Sequence, residues 1–367
     1  SEQREAKRRF VIDALDRIGR IGRFDVEPII TTPPELGYRN KVELTFGKSE
    51  VGRQVLGYHR SYRPSELLDV TACAIADPRL AQLLTAARGY FLDGPGRGDP
   101  ALEPGRDRLR LVLRASHTRD ERLIAFRGPD GPFRSLPAFA RLAREVDAGL
   151  AGVVRIVAVP GRRGGGRVQS VLGRDWITDE ILGTSFRVPA ATFLQVHPAA
   201  AGTLARHVLD GAGSPRVVVE LYGGVGGLGL AFARNGARVT IVEADPDAVA
   251  CGREAAERAG VPNARFLRAD VLRFLVGAEA RDASDLVIAD PPRTGFGRNV
   301  AAALAAAGPR RIVVVSCDPA TMARDVAALV RLGYTVDRVV PFDLFPQTAH
   351  VETVAWLSRT PPGSARS

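Results

Sequence analysis

Cysteine is scarce in this chain of 367 residues: Cys73, Cys251 and Cys317 stand far apart and form no CxxC pattern. That excludes a disulfide framework and argues against a zinc or other metal site, and so few thiols suit a reducing compartment. Long apolar runs are missing too. None approaches the ~20 residues that a membrane helix needs, so no membrane span is expected. The opening segment SEQREAKRRF has no apolar signal core. A cytoplasmic protein, not a secreted one, is expected. Lysine is rare while arginine is abundant, and acids are outnumbered: the net charge is +10. Residues 1–180 carry an excess of +7 and the remainder +3. The bias suggests a polyanion held mainly by the N-terminal half. A proteome rich in Arg, Ala and Gly would give the same usage.

What is present is a chain long enough for two domains and a sizeable core. No internal repeat is visible. Residues 5–20 have Phe10, Val11, Leu15 and Ile18 at helical spacing. Tyr38–Lys41 leads into an alternating strand, 42–46, with a second strand around 55–58. Asp77-Pro78 is a good cap and first residue for a helix reaching Tyr90. Gly94–Gly105 reads as a loop. Arg108–Arg114, RLRLVLR, alternates strictly, with Leu109, Leu111 and Leu113 on one face and Arg108, Arg110, Val112 and Arg114 on the other. That pattern predicts a half-buried antiparallel strand with a basic exposed face, partnered by residues 123–126 and 153–159. Gly161–Arg167, GRRGGGR, is a basic loop whose Arg162, Arg163 and Arg167 could track a phosphate backbone; exposed hairpin tips look the same.

From about Arg187 strands and helices alternate. Residues 217–221, 238–243, 264–268, 285–289, 312–316 and 335–341 read as strands, and 248–259 and 322–332 as helices. The expected fold is α/β, a doubly wound Rossmann-like sheet. The domain reading is an N-terminal α+β region at 1–184, a second domain at 185–360, and a disordered tail at 361–367.

Chemistry concentrates at the ends of these strands. VVVELYGGVGGLGL, Val217–Leu230, runs from a buried strand through Gly223–Gly227 into a helix. Gly224 and Gly226 would let the backbone approach a ligand. Glu220 before the turn would oppose a pyrophosphate but suit a cationic sulfonium, which favours S-adenosylmethionine over NAD. Glu243, ending the next strand, can accept both ribose hydroxyls of either cofactor. Asp270 could take an adenine amino group, though a helix cap is an equal reading. In DLVIADPPRTGFG, Asp290 arrives at the sheet edge before a rigid Pro-Pro. In RIVVVSCDPATMAR, Cys317 ends a buried strand where a helix starts near Pro319-Ala320. The partial positive charge of that helix terminus is expected to favour the thiolate. In DLFPQTAHVETVAW, Glu352 opens a last strand, 351–357.

Taken together, these segments resemble the RNA (uracil-5)-methyltransferase family, whose members methylate tRNA or large-subunit rRNA. The matching pieces are Phe193–Val196 (FLQV), Glu220–Gly223 (ELYG), Asp290–Arg293 (DPPR), Ser316–Pro319 (SCDP), Ala323–Asp325 (ARD), Phe345–Thr348 (FPQT) and His350–Glu352 (HVE). They fill the C-terminal half in the family's order, and the Tyr38–Lys41 segment extends the likeness weakly. The resemblance implies that Cys317 adds to uracil C6 and that Glu352 removes the C5 proton. It places Gln195, Tyr222, Glu243 and Asp290 at the cofactor. It also implies an RNA partner, which Arg39, Lys41 and the basic central strands are expected to grip, and a monomer is expected. The target is expected to be a flipped-out uridine, in tRNA or rRNA.

The chain also departs from the family pattern. The small N-terminal barrel of many members is not expected in the segment before Tyr38. Cys73 alone cannot supply the four N-terminal cysteines of relatives with an iron–sulfur cluster. His197 stands where Asn is common, and Gly223-Gly224 where the glycine turn often has Cys. Cytosine-5 RNA methyltransferases usually place a second cysteine after the fourth strand, where this chain has Asp290-Pro291-Pro292-Arg293. An amino-group methyltransferase would have an aromatic at Arg293. An RNA-binding or folding protein with secondary catalysis is a different class that the basic N-terminal half allows.

Overall fold

The computed structural model describes residues 2–22, 24–103, 108–158, 166–278 and 284–359. The chain divides into two compact units, one of residues 34–180 and 186–198, the other of residues 1–33, 181–185 and 199 onward. The change of rhythm near Arg187 therefore marks only part of the division. The first 33 residues pack into the core of the second unit: Val11, Leu15, Ile21 and Val26 are buried there with Leu221, Ile312 and Val326. Helix α1 (Glu2–Asp13) continues as one wider turn over Ala14–Gly19. Strand β1 (Ile30–Thr31) adds to the edge of that unit's sheet. The tail at 361–367 and the loop residues 161–165, including Arg162 and Arg163, lie outside the described residues, as does Val159.

The unit of residues 34–180 and 186–198 is built on a seven-stranded sheet. Its strands are β2 (Lys41–Lys48), β3 (Gln54–Arg60), β4 (Arg63–Asp69), β5 (Arg110–Ala115), β6 (Arg122–Gly128), β7 (Leu150–Ala158) and β8 (Gly166–Gly173), in the order β4-β3-β2-β5-β6-β7-β8. All neighbours are antiparallel except β6 and β7, whose parallel pairing follows the crossover through α3. One face packs on α2 (Ala81–Arg88) and α3 (Leu136–Val146). The helix expected from Asp77 does start there, with the Asp77 carboxylate accepting from Arg79 N at 3.0 Å. In α3, Leu136, Phe139, Ala140 and Ala143 are the buried stripe, at the spacing that keeps one face inward. Phe46, Phe91, Phe126 and Phe139 fill the core between them. A separate hairpin, β9 (Trp176–Ile181) and β10 (Thr184–Pro189), forms its own two-stranded sheet. Strands β4, β8, β9 and β10 were not legible in the sequence, because none is a clean alternating or continuous apolar run.

The other unit is the doubly wound sheet. Its order is β1-β16-β17-β15-β14-β11-β12-β13, with β11 (Val217–Leu221), β12 (Arg238–Glu243), β13 (Ala264–Arg268), β14 (Leu286–Ala289), β15 (Arg311–Ser316), β16 (Tyr334–Asp343) and β17 (Glu352–Arg359). The five strands β11–β15 are parallel, and β17 inserts antiparallel between β15 and β16. Helices α4 (Pro198–Gly211), α5 (Gly227–Arg234), α6 (Pro246–Ala259), α7 (Val271–Val276), α8 (Gly297–Ala307) and α9 (Pro319–Arg331) make the connections. Central strands flanked by helices must be apolar on both faces, which is why LVIA of β14 is wholly buried. The chain runs outward from β11 to β13 and then returns to β14, so the order reverses between β11 and β14. Ligands of open α/β sheets bind at that reversal, beyond the carboxyl ends of the strands.

Candidate active site

The carboxyl edge of this sheet gathers most of the residues singled out from the sequence. Tyr222 follows β11, Glu243 ends β12, Asp270 follows β13, Asp290 follows β14, Cys317 follows β15 and Glu352 begins β17. The glycine turn after β11 has positive φ at Tyr222 (59°), Gly224 (55°) and Gly226 (76°). For a tyrosine this is a costly backbone conformation, of the kind concentrated at ligand sites. A Cβ added at Gly224 would meet nothing within 4 Å, so the turn opens onto free space there. A Cβ at Gly223 would come 2.5 Å from Ile241 Cγ2. Ile241 thus fills the space beside Gly223.

Glu243 ties this turn to the next loop: its carboxylate accepts from Gly224 N at 2.9 Å and from Asp245 N at 2.7 Å. Two lone-pair sites per oxygen leave capacity for ribose hydroxyls. Asp270 accepts from Arg273 N at 3.0 Å and so caps α7, the alternative reading of that residue; its exposed carboxylate also lies close enough to Tyr222 to help push that phenol up to about 12, behind burial as the main cause. Glu220 overturns one expectation. It is buried under the turn, where it accepts from Gly229 N at 3.0 Å. Burial, aided by Asp290 and Glu243, pushes its carboxyl up to about 8, so at neutral pH it is a neutral acid, not a counter-charge for a sulfonium.

Strand register explains how Cys317 and Glu352 meet. Strands β15 and β17 pair Ser316 with Thr353. Cys317 follows Ser316 and Glu352 precedes Thr353, so both lie at the same end of this pair, near enough for the Glu352 charge to act on the thiol. Because β17 lies between β15 and β16, Glu352 is not on an edge strand. It is 2% exposed, and its Oε2 has no hydrogen-bond partner. Burial and the nearby Asp290 push its carboxyl well above the usual range, against the pull of Arg293. Asp290 is exposed at the sheet edge, and the protein packed around its carboxyl pushes it up to about 7.

Cys317 is half-buried, and α9 starts two residues later. The expected stabilisation of its thiolate is not found. Burial pushes the thiol up, Glu352 and Asp290 add to this, and Arg293 opposes it. The helix terminus is already served by Asp318, whose carboxylate accepts from Thr321 N at 2.8 Å. Arg293, which stands where an amino-group methyltransferase would have an aromatic, has a place in this site that its sequence position does not reveal. Its carbonyl accepts from Thr321 Oγ1 at 3.0 Å, which holds it at the first turn of α9, and its charge eases ionisation of both Cys317 and Glu352.

The remaining sequence candidates belong to the other unit. Gln195 lies in its 186–198 segment and is half-buried. His197, the departure from Asn, is buried and stacks on Tyr38 with ring centroids 4.5 Å apart. The basic face of β5 is less open than its alternation implies. Val112 and Arg114 are buried, and Arg114 donates to the carbonyls of Pro189 (3.3 Å) and Thr192 (3.0 Å). Arg110 is exposed and pairs with Glu43 at 2.9 Å, and exposed Arg167 pairs with Asp130 at 3.2 Å. Arg39, Lys41 and Arg108 are half-buried. Burial and the neighbouring Arg114 push the Lys41 amine down to about 8.

With the geometry in place, comparison with known proteins decides the family. The model of the tRNA (uracil-5-)-methyltransferase family matches residues 161–360. This chain belongs to that family. Two relatives are each described as an uncharacterized RNA methyltransferase. The one from Gloeobacter violaceus is 36% identical over 98% of this chain and 78% of its own length. The one from Thermosynechococcus vestitus is 36% identical over 97% of this chain and 79% of its own. Among solved structures, the Pyrococcus abyssi tRNA (uracil-54, C5)-methyltransferase in complex with S-adenosyl-L-homocysteine superposes with a TM-score of 0.72. It covers 96% of this chain and 83% of that one at 22% identity, which establishes the shared Rossmann-like methyltransferase fold. As a member of the tRNA (uracil-5-)-methyltransferase family, the chain is an S-adenosylmethionine-dependent RNA methyltransferase. Among the described residues, no helix is long and apolar enough to cross a membrane.

Proposed function

We propose that this protein methylates C5 of a uracil in tRNA or rRNA, with Cys317 as nucleophile and Glu352 as base. The observation that carries the reading is the nearness of the two groups: a thiol and, close enough to act on it, a buried carboxyl with an unpartnered oxygen, where β15 ends and β17 begins. Uracil C5 is a weak nucleophile. Bonding of Cys317 Sγ to C6 would move the C5–C6 π electrons toward O4 and make C5 enolate-like. C5 would then take the methyl group of S-adenosylmethionine as its bond to the positively charged sulfur breaks, leaving a neutral thioether. Glu352 would then take the C5 proton, the C5–C6 double bond would re-form and Cys317 would leave as thiolate. Tyr222, Gly224, Gly226, Glu243, Asp270 and Asp290, with Gln195, are assigned to the cofactor; the open side of Gly224 and the remaining lone pairs of Glu243 fit a ribose and a methionine moiety. Residues 34–198, apart from 181–185, are assigned to RNA binding. The Asp290–Phe296 segment holds no second thiol, which favours uracil over cytosine.

The test is methyl transfer from labelled S-adenosylmethionine to unmodified tRNA and rRNA transcripts, with nucleoside analysis. The expected product is 5-methyluridine, lost in Cys317→Ala. In Glu352→Gln the expected species is a covalent protein–RNA adduct that has gained the methyl group but cannot eliminate. Appearance of 5-methylcytidine alone would overturn the assignment.

A further inference from the structure

Helix α1 has two apolar faces, and only one is covered. Val11 and Leu15 are fully buried in the core. Phe10 and Ile18, at helical spacing from each other, are 51% and 49% exposed. Between them in space sit Ala14 and Arg17, so residues 10, 13, 14, 17 and 18 form one stripe. This stripe is a wall of an open cleft of about 400 Å³ whose other walls are the Cys317–Ala320 turn and residues 349–351. That volume is within the range of small-molecule sites. The wider turn at Ala14–Gly19 builds the wall, and widened turns of this kind are frequent at functional sites. Gly19 lets it approach α9: a Cβ there would come 3.1 Å from the Ala323 carbonyl oxygen.

The cleft includes Cys317 but none of Tyr222, Glu243 or Asp290. A base reacting with Cys317 must also reach the cofactor held by those residues. What fits the cleft is therefore the part of the RNA attached to that base. We propose that the cleft is a subsite for the nucleotide adjacent to the reacting uridine, its base stacked on Phe10 and Ile18 and its phosphate held by Arg17. The inference rests on the uracil reading above for the identity of the reacting base. Base stacking on an aromatic side chain is tolerant of sequence and contributes substantially to single-strand binding. Arg17 is 76% exposed, and its one acidic partner, Asp13, is 3.9 Å away and itself exposed, so a phosphate can replace it. The other acid in the cleft, Asp318, is engaged by Thr321. Among the described residues that line the cleft, Arg17 is the one arginine or lysine, and with two apolar side chains beside it the chemistry suits one base and one phosphate, not a long backbone track.

The experiment uses the full chain and the transcript that it methylates. Phe10→Ala is expected to raise the KM for RNA about tenfold, with kcat and the KM for S-adenosylmethionine within about twofold. Arg17→Gln is expected to lower the slope of log affinity against log salt by about 0.7, the loss of one single-strand phosphate contact. Both side chains are exposed, so melting curves should be unchanged. Transcripts with an abasic site on either side of the target uridine identify the occupant: wild type should lose about tenfold on one of them, and Phe10→Ala should lose nothing more. Wild-type KM and salt slope in both variants would overturn the subsite while leaving 5-methyluridine formation intact. If wild type makes no 5-methyluridine, the uracil reading fails, and transcript binding by Phe10→Ala still decides the subsite: unchanged affinity refutes it, weakened affinity sustains it.

Discussion

Glu220, Asp290 and Glu352 crowd the carboxyl edge of one sheet, and each carries a carboxyl pushed upward. Burial and this crowding together push the Cys317 thiol upward. Removing one negative neighbour should release it. Asp290→Asn is therefore expected to speed alkylation of Cys317 by iodoacetamide at pH 8.5, above the value of about 7 at which Asp290 ionises. Peptide mass spectrometry separates this site from Cys73 and from buried Cys251, and equal rates in the two proteins would sink the argument. Glu220 acts on stability. Its folded value, about 8, lies above the ordinary 4.5, so the folded state holds a proton that the unfolded state has released. The stabilisation is complete below about pH 4.5 and is lost as pH rises toward 8. Glu220→Gln should flatten this fall: the melting temperature of the variant should drop less than that of wild type between pH 5 and 8. Parallel pH profiles would show that Glu220 titrates normally.

At the level of elements, the site depends on one strand that runs against its neighbours. Strand β17 turns back between β15 and β16, and its first residue is Glu352. The loop leading into it is tied to α1 by a buried ion pair: Lys7 Nζ donates to Asp343 Oδ1 at 2.6 Å and to the Phe345 carbonyl at 3.0 Å. Lys7→Met would leave the Asp343 charge buried and unpaired, at a cost of about 3–5 kcal/mol. Urea unfolding should show this loss, and adding Asp343→Asn should recover part of it; an additive double variant would mean that the pair is not coupled. The parallel strands were legible because each is a short β-branched run bounded by turns, and 238–243 and 264–268 agree with the structure to the residue. Their ends are where chemistry collects, so the site was legible with them. The partner of Lys7 was not, since it lies 336 residues away and no local period encodes it. Strand β4 was missed because its residues are mostly exposed, which leaves no apolar alternation to read. The same reason inverts the reading of α1: spacing groups Phe10 with Val11 and Leu15, and only packing separates the covered face from the bare one.

For the molecule as a whole, the question is how a chain of net charge +10 would hold a polyanion. The sequence places the excess in the first half, but charge counted along a chain is not charge offered at a surface. In strand β5, Arg110 is exposed and Arg114 is 3% exposed, although their alternation is identical. Arg114 spends its donors on the carbonyls of Pro189 and Thr192, so its charge organises the fold. Arg110 and Arg167 reach solvent, and their pairs with Glu43 and Asp130 are exposed ones of small net value, which a phosphate can displace. The expected result is a split between the two kinds of arginine. Arg110→Gln and Arg167→Gln should each weaken RNA binding and lower its salt slope by about 0.7 to 0.9, with melting unchanged. Arg114→Gln should cost about 1–3 kcal/mol in urea unfolding, since two backbone acceptors lose their donor, and the folded fraction should bind RNA with the wild-type salt slope. A shallower slope in Arg114→Gln would mean that the guanidinium leaves its carbonyls when RNA binds, and that the basic face suggested by the alternation forms only in the complex.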